Sequence, residues 1–445
     1  TEIAPNVNWP KSQSFVHVDE QGTLSLALTE QFLPARAALL EDFWKKTVEK
    51  WRFAEVDYSS ARNNFGGLNN APNGSNRYAF AALKVDGSIT AWGNPDAGGI
   101  APSGSGYTKI YSTGSAFAAL KADGSITAWG DSGGTGAPSG NGYTKIYSTR
   151  AAFAALKADG SITVWGDSRY GNTGAPDGSG YTKVYSTYGA FAALKADGSI
   201  TVWGDSGHGG VGAPSGKGYT KIYSTGSAFA ALKADGSITA WGDSGGTGAP
   251  SGKGYTKIYS TGSAFAALKA DGSITAWGDS RYGSTGAPDD NGYIKIYPNR
   301  GSFAALKADG SITAWGPGYG GIGAPSGNGY TKIYSTHGAF AALKADGSIT
   351  AWGASGYGGT SAPSGNGYTK IYSNWRAFAA LKADGSITAW GRSGNGGTGA
   401  PSGSGYTKIY STRSAFTAVK ADGSITAWGD SNFGGTIPTS ITTSD

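Results

Sequence analysis

The chain has 445 residues, 76 of them glycine, and it contains neither cysteine nor methionine. The lack of cysteine excludes disulfides and thiol chemistry, and the absence of a Gly-X-Y period excludes a collagen helix. The net charge is +6; residues 1–70 carry seven basic and nine acidic side chains, so the remainder carries +8. This mild bias is far from the basic stripe of a nucleic-acid-binding protein, and no apolar run is long enough for membrane insertion.

Residues 1–70 are predicted to form a small N-terminal arm. Phe15–Val18 and Leu24–Leu28 flank a turn and predict a β-hairpin. From about Pro34 to Phe53, apolar side chains recur every three or four residues, which predicts an amphipathic helix. The helix is expected either to pack on the rest of the chain or to dock onto a partner or another copy. Its docking residues would be Leu40, Trp44, Val48 and Trp51.

Residues 71–445 form a tandem repeat. Ten Trp-Gly dipeptides follow one another at intervals of 36 to 38 residues. Their tryptophans are Trp92, Trp129, Trp165, Trp203, Trp241, Trp277, Trp315, Trp352, Trp390 and Trp428. A period of this length in a sequence rich in glycine and β-forming residues is typical of propellers and solenoids.

Each repeat is predicted to contain three strands, as the second repeat illustrates. Tyr107–Ser112 would be the first strand, Ala116–Lys121 the second and Ser125–Trp129 the third. Asp123-Gly124 predicts a tight hairpin between the second and third strands. The glycine-rich return that follows has room for a ragged fourth strand at the sheet edge, where its proline is tolerated.

The ends of the array predict how it closes. The first repeat begins near Asn76 without a copy of the Tyr107–Ser112 strand, whereas the segment Thr439–Ser444 follows the last repeat as a spare strand. The sequence therefore predicts an all-β fold, a closed propeller-like ring of ten short repeats sealed by strand exchange between the termini. The alternative is an open β-solenoid, in which Thr127 and its equivalents would form a flat ladder like an ice-binding surface.

The segment AFAALKADGSITAWGDSRYGSTGAP, residues 264–288, resembles the RCC1-type propeller repeat. The resemblance covers Asn76–Ser444, is most specific at the DGxIxxWG core, and implies a β-propeller. The chain departs from the family pattern in having shorter repeats, ten of them instead of seven, and phenylalanine at Phe117 and its equivalents where the family often has histidine. The nucleotide-exchange activity of eukaryotic members is not implied, because no loop here matches theirs.

No catalytic site, metal site or cofactor is expected, and the chain is predicted not to be an enzyme. His17, His208 and His337 occupy unrelated positions, so a metal site or a histidine base would need a long-range coincidence. The recurring aspartates are explained by the hairpin turns. The glycine-rich returns lack the Lys-Ser/Thr pair and the following helix of a phosphate-binding loop.

Two positions vary in every repeat, one after the first strand and one after the third. Both connections emerge at the same end of a three-stranded blade, so the variable residues are predicted to lie on one face. The predicted ligand-binding residues are Tyr78, Arg150, Tyr170, Tyr188, Tyr282, Arg300, His337, Trp375, Arg376 and Arg413. Arginine, tyrosine and tryptophan dominate binding hot spots, although exposed loops also vary by drift.

These features predict a non-enzymatic propeller, secreted or on a cell surface, that recognises glycans or glycoproteins. Aromatic faces suit sugar rings, and arginines suit carboxylate or sulfate groups. One alternative is a self-assembling structural protein that uses residues 1–53 to dock onto a neighbouring copy. Another is the targeting subunit of a toxin or effector.

Overall fold

The computed structural model describes residues 76–437, except 85 and 319, and three earlier strands. The chain divides into two compact units, Thr1–Lys50 and Trp51–Asp445. In the first unit, β1 (Phe15–Val18) pairs antiparallel with β2 (Leu24–Ala27), which confirms the predicted hairpin. The predicted helix residues Leu40, Trp44 and Val48 lie outside the described part of the chain.

The second unit consists of ten three-stranded antiparallel sheets, so the fold is all-β and propeller-like. In each sheet the second strand in sequence lies in the middle. The first strands are β3 (Trp51–Phe53), β6 (Tyr107–Ser112), β9 (Tyr143–Ser148), β12 (Tyr181–Ser186), β15 (Tyr219–Ser224), β18 (Tyr255–Ser260), β21 (Tyr293–Pro298), β24 (Tyr330–Ser335), β27 (Tyr368–Ser373) and β30 (Tyr406–Ser411). The middle strands are β4 (Ala79–Lys84), β7 (Ala116–Lys121), β10 (Ala152–Lys157), β13 (Ala190–Lys195), β16 (Ala228–Lys233), β19 (Ala264–Lys269), β22 (Phe303–Lys307), β25 (Ala339–Lys344), β28 (Ala377–Lys382) and β31 (Ala415–Lys420). The third strands are β5 (Ile89–Gly93), β8 (Ile126–Gly130), β11 (Ile162–Gly166), β14 (Ile200–Gly204), β17 (Ile238–Gly242), β20 (Ile274–Gly278), β23 (Ile312–Trp315), β26 (Ile349–Gly353), β29 (Ile387–Gly391) and β32 (Ile425–Gly429).

The core lies between neighbouring sheets. On the middle strand β7, the alanines are fully buried, and their small size lets the next sheet approach closely. Phe117 lies opposite Trp129 on β8, and the two rings stack with centroids 5.2 Å apart. The same stack recurs in every sheet, so each blade presents one large aromatic pair to its neighbour.

The first sheet corrects two predictions. Its outer strand is β3, in which Arg52 pairs with Leu83 and Phe53 with Ala82. The predicted helix is therefore wrong at its last three residues, including Trp51, which lie in a strand. The predicted strand exchange is also wrong about the first sheet, because β3, which precedes the array, occupies the edge predicted for Thr439–Ser444. Residues 439–444 lie outside the described part of the chain.

Neighbouring sheets are joined by a hydrogen bond that recurs throughout the array. The indole Nε1 of Trp165 donates to the carbonyl of Gly133 in the preceding repeat, at 3.0 Å. Trp92 of the first repeat makes the equivalent bond to Gly434 of the last, at 3.3 Å. Phe80 and Trp92 also share a buried cluster with Ala415. The interface between neighbours is thus repeated between the last sheet and the first.

The returns from the third strand to the next sheet are irregular and contain single helical turns. The turns lie at Pro95–Gly99, Ser168–Tyr170, Ser206–His208, Ser280–Tyr282, Ser355–Tyr357, Ser393–Asn395 and Ser431–Phe433. Gly171 shows why glycine follows the turn: its φ is +99°, and a Cβ there would lie 2.8 Å from the Phe191 ring. The returns that the structure describes form no fourth strand. Across the same residues, no helix has the length and apolarity that a membrane crossing requires.

Candidate binding surface

The residues that follow the first strands are linked by a ladder of main-chain hydrogen bonds. The amide of Arg77 donates to the carbonyl of Gly114 at 3.0 Å, and the amide of Gly114 donates to the carbonyl of Arg150 at 3.0 Å. The pattern continues through the array and ends with Trp375 donating to Arg413 at 3.3 Å. The ladder joins Arg77, Gly114, Arg150, Tyr188, Gly226, Gly262, Arg300, His337, Trp375 and Arg413. Because main-chain atoms hold these loops together, their side chains remain free to differ.

A buried polar side chain ties the two variable positions of a repeat together. The Thr149 hydroxyl accepts from the amide of Ala152 at 3.1 Å and donates to the carbonyl of Tyr170 at 2.8 Å. Thr336 makes the same bond to the carbonyl of Tyr357 at 2.8 Å. These bonds bring the start of the return beside the loop after the first strand, as predicted. We call the two sets of residues together the variable surface.

In the seventh to tenth repeats, the variable surface is a continuous group of aromatic rings and guanidinium groups, the arginine–aromatic cluster. Its members are Arg300, His337, Tyr357, Trp375, Arg376 and Arg413. The Arg300 Nη1 lies 3.0 Å from His337 Nε2, and the His337 ring lies 4.8 Å from that of Trp375. On the other side of Trp375, the Arg413 guanidinium lies 3.2 Å from its ring centroid.

Arg376 completes the cluster through Tyr357. Its guanidinium lies 4.8 Å from the Tyr357 ring centroid, and its Nη2 donates to the Tyr357 hydroxyl at 3.2 Å. Among the described residues, no carboxylate forms an ion pair with Arg300, Arg376 or Arg413. The cluster therefore carries positive charge beside half-buried aromatic rings, a combination that suits an anionic ligand.

Neighbouring positive charges act on the histidine of this cluster. Burial, with the charges of Arg300, Arg376 and Arg413, lowers the pKa of His337 to about 3. The imidazole is accordingly neutral at physiological pH. Its Nε2 then accepts from Arg300, so the ring proton is on Nδ1.

The first repeats contribute a cavity of about 240 Å³ to the same surface. Arg77, Tyr78, Arg150 and Tyr170 line it, together with carboxylates that include Asp167. Asp167 is already paired with the exposed Arg169 at 2.7 Å, and this pairing holds the pKa of its carboxyl below the usual range.

Tyrosines fill the space that glycines leave on the ladder. A Cβ at Gly226 would lie 2.5 Å from the Tyr188 ring, and one at Gly262 would lie 2.8 Å from the Tyr282 ring. Burial raises the pKa of Tyr188, and the nearby positive charges of Arg77, Arg150 and Arg300 partly oppose that rise. Tyr188 thus connects the cavity side of the variable surface with the arginine–aromatic cluster.

The structure brings the predicted ligand-binding residues together in three groups. Tyr78, Arg150 and Tyr170 line the cavity, and Tyr188 and Tyr282 cover glycines of the ladder. The remaining predictions fall in the arginine–aromatic cluster: Arg300, His337, Trp375, Arg376 and Arg413. Two residues were missing from the predicted set, Arg77 and Tyr357, although both occupy variable positions.

No arrangement of histidine, cysteine, aspartate and glutamate among the described residues forms a group of three or more that would hold a metal ion.

Comparisons with known proteins find structural likeness alone. No family model matches the chain, and no curated protein matches it. One similar solved structure is the ectodomain of the Physcomitrella patens receptor kinase CR4, with 18% identity, a TM-score of 0.36, and coverage of 58% of this chain and 72% of that one. A second is Prp20p from Saccharomyces cerevisiae, with 16% identity, a TM-score of 0.32, and coverage of 64% and 72%. At these TM-scores the likeness carries no functional inference, and the fold is described from its own sheets.

Proposed function

We propose that this chain is a non-enzymatic binding protein, acting outside the cell or at its surface, that recognises anionic glycans or glycoproteins through the variable surface. The observation that carries the proposal is the arginine–aromatic cluster. Trp375 and Tyr357 are half-buried residues of types enriched at binding interfaces, and the Arg413 and Arg376 guanidinium groups that lie over their rings offer paired donors for carboxylate or sulfate.

Charge supports an anionic glycan over a neutral one. Arg300, Arg376 and Arg413 all lie close enough to His337 to add to the effect of burial in suppressing its protonation. Such repulsion between like charges is relieved when an anion binds among them. A ligand that contacts several repeats at once would also gain affinity through multivalency.

We propose further that the ten sheets form a closed ring of the RCC1 type. The support is the bond from Trp92 to Gly434 and the stacking of Tyr78 on Phe433, whose ring centroids are 5.1 Å apart. Closure would place the ladder residues around one opening. Arg77 and Arg413 would then be neighbours, consistent with the pKa of the Arg413 guanidinium, which burial and then the charge of Arg77 lower.

The test is a glycan array that includes sialylated and sulfated sugars, followed by titration calorimetry on the best ligand. The double variant Arg300→Gln/Arg413→Gln should weaken binding by about ten-fold or more, because it removes two charge-assisted contacts. The matched control is Lys217→Gln/Lys253→Gln. It removes the same charge from exposed side chains at the hairpin end, where they pair with Asp197 and Asp235, and it should bind like the parent.

No binding to any glycan by the intact chain would refute the proposal, as would equal losses in the two double variants. If the chain instead forms large assemblies that disappear when residues 1–50 are removed, self-assembly through the N-terminal arm replaces glycan recognition as the function.

A further inference from the structure

One lysine recurs at the same place in nine of the first strands. These residues, the lysine row, are Lys109, Lys145, Lys183, Lys221, Lys257, Lys295, Lys332, Lys370 and Lys408. In each sheet the lysine pairs in register with the leucine or valine near the end of the middle strand, as Lys109 pairs with Leu120. Arg52 holds the same register in the first sheet, opposite Leu83.

The first strands of successive repeats lie side by side, so the lysines of the row are neighbours. The hydroxyl of Ser148 donates to the carbonyl of Ser112 in the preceding first strand at 2.8 Å, and Ser186 donates to Ser148 at 2.7 Å. The bond recurs between later strands, as from Ser373 to Ser335 at 2.8 Å. The array therefore carries one cation per repeat along a continuous line.

Like charges act on several members of the row. The charged groups that act on Lys145 are Lys183 and Lys109, and those that act on Lys295 are Lys257 and Lys332. Burial, together with these neighbours, lowers the pKa of Lys295 to about 8. Several of the ammonium groups lie over tyrosine rings: Lys145 Nζ lies 5.2 Å from the Tyr147 centroid, and Lys295 Nζ lies 5.1 Å from that of Tyr297.

Lysines elsewhere in the repeat differ in their partners. Lys217 pairs with Asp197 at 2.9 Å, and Lys253 pairs with Asp235 at 3.0 Å. Among the described residues, no carboxylate pairs in this way with Lys145, Lys221, Lys257 or Lys295. Lys221, Lys257 and Lys295 are half-buried, and no carboxylate of the described residues neutralises them, which costs stability unless an anion binds.

We propose that Lys221, Lys257 and Lys295 of the lysine row form a binding site for a compact polyphosphate, with the ammonium groups of successive repeats each contacting a phosphoryl group. Ammonium groups act as compact point charges and are common phosphate ligands. The site goes beyond the glycan-binding variable surface, because it uses a residue that is the same in nine of the ten repeats.

The tyrosines of the row argue against nucleic acid as the ligand. Binding of single strands relies on exposed aromatic faces on which bases stack. Tyr223 and Tyr259, beside Lys221 and Lys257, are only 2% and 1% exposed. Tyr297, beside Lys295, is 7% exposed. Lys221, Lys257 and Lys295 therefore offer charge without a stacking platform and suit phosphoryl groups.

Titration calorimetry of the full chain tests the site with two probes, inorganic pentaphosphate and inositol hexakisphosphate. Both should bind, with an affinity that falls as sodium chloride is raised. The variant Lys221→Gln/Lys257→Gln/Lys295→Gln should bind at least about ten-fold more weakly, since three charged contacts are lost. If only one probe binds, the arrangement of its phosphoryl groups identifies which source of polyphosphate the row accepts.

The matched control is Lys195→Gln/Lys233→Gln/Lys269→Gln. It removes the same charge, and its lysines also lie over tyrosine rings, at 4.8 to 5.1 Å, but at the ends of the middle strands. Its affinity should stay within about two-fold of the parent, as expected for surface charges outside a site. Equal weakening by both variants, or no binding by the parent, would overturn the proposal, as would tighter binding of a short single-stranded DNA.

A second measurement does not depend on how the variants fold. Amine acetylation of the parent chain, read by mass spectrometry, should be slowed by pentaphosphate at the lysine row and unchanged at Lys195 and its equivalents. Uniform protection of all lysines would overturn the site. Glycan binding by the Lys221→Gln/Lys257→Gln/Lys295→Gln variant should persist, so failure of one proposal is distinguishable from failure of the other.

Discussion

The two ends of each blade use side chains differently. At the hairpin end, the Asp123 carboxylate accepts from the amide and the hydroxyl of Ser125, at 2.8 and 2.7 Å, and Gly124 has a φ of +81°. At the other end, the main-chain ladder and a buried threonine hold the loops. The hairpin side chains form hydrogen bonds that the turn requires, and they are constant in sequence. The ladder is held by main-chain bonds, and its side chains differ from repeat to repeat.

This contrast explains why variation identified the variable surface. A residue whose side chain is needed by its own backbone cannot change without a structural cost, as with the Asx-type bonds of the hairpin. A residue held by its main chain can change, and the array places glycine, arginine, tyrosine, histidine and tryptophan at equivalent ladder positions. The loops that carry the ladder residues therefore tolerate different side chains, and selection for ligand binding can determine which residue each loop carries.

The largest expected effect comes from filling the space behind a helical turn. Gly171→Ala combines an unfavourable φ of +99° with a Cβ 2.8 Å from Phe191, and should lower the free energy of unfolding by about 3 kcal/mol. Gly178→Ala is the matched control, because its φ is +93° but no atom lies within 4 Å; about 1 kcal/mol is expected. Denaturant unfolding measures both, and equal effects would show that the Phe191 contact contributes nothing.

A smaller effect is expected at the blade interface, where it also tests ring closure. Trp203→Phe removes the bond to the carbonyl of Gly171 and should cost about 2 kcal/mol. Trp92→Phe removes the equivalent bond to Gly434. In a closed ring the two variants should lower the thermal midpoint equally. A clearly milder effect of Trp92→Phe would indicate that the last and first sheets separate in solution.

The smallest effects should appear as two separate pH windows, one for each end of the blade. His337 has a folded pKa of about 3 against an ordinary 6.5, so the unfolded chain binds the proton first and stability falls as pH drops from about 6.5 towards 3. The hairpin aspartates have folded pKa values below the ordinary 3.8, because Ser125 and its equivalents donate to them. Their contribution is present above that value and is lost only below about pH 4.

Thermal midpoints measured between pH 7 and pH 2 separate these windows. His337→Gln should remove the decline between pH 6.5 and 4 and leave the acid limb unchanged. Replacing the ten hairpin aspartates with asparagine, which can still accept the Ser125 amide, should flatten the acid limb alone. If stability instead fell in one pH range, and either His337→Gln or the aspartate replacement removed that fall, the separate roles of the two ends would be contradicted.

The sequence predicts much of this fold because its signals are local and repeated. The Asp-Gly hairpins, the apolar run of β7 and the Trp-Gly period specify three strands per repeat. Strand β3 escaped prediction because Trp51-Arg52-Phe53 ends a stretch with helical periodicity and pairs with a strand about thirty residues later in the chain. Its side chains do not resemble those of Tyr107–Ser112, so no pattern marks it as the first strand of a sheet.

The binding surface was predictable only where side chains vary. Arg300, Trp375 and Arg376 stand out because their equivalents are different residues. The hydrogen-bond ladder has no signature in the sequence, because main-chain hydrogen bonds do not depend on residue type. The lysine row was missed for the opposite reason, because Lys221 and its equivalents are constant. A constant residue in a strand is interpreted as structural unless the structure shows that the strands are adjacent.

The central claim is that the ladder side chains serve ligand binding and not the fold. The chain itself supplies the test, because Gly114, Gly226 and Gly262 already occupy ladder positions. Changing the other seven ladder residues to glycine (Arg77, Arg150, Tyr188, Arg300, His337, Trp375 and Arg413) should keep the far-ultraviolet spectrum and cooperative unfolding and abolish glycan binding by calorimetry. A variant that still binds the same glycan with parental affinity, or that no longer folds, would contradict the account.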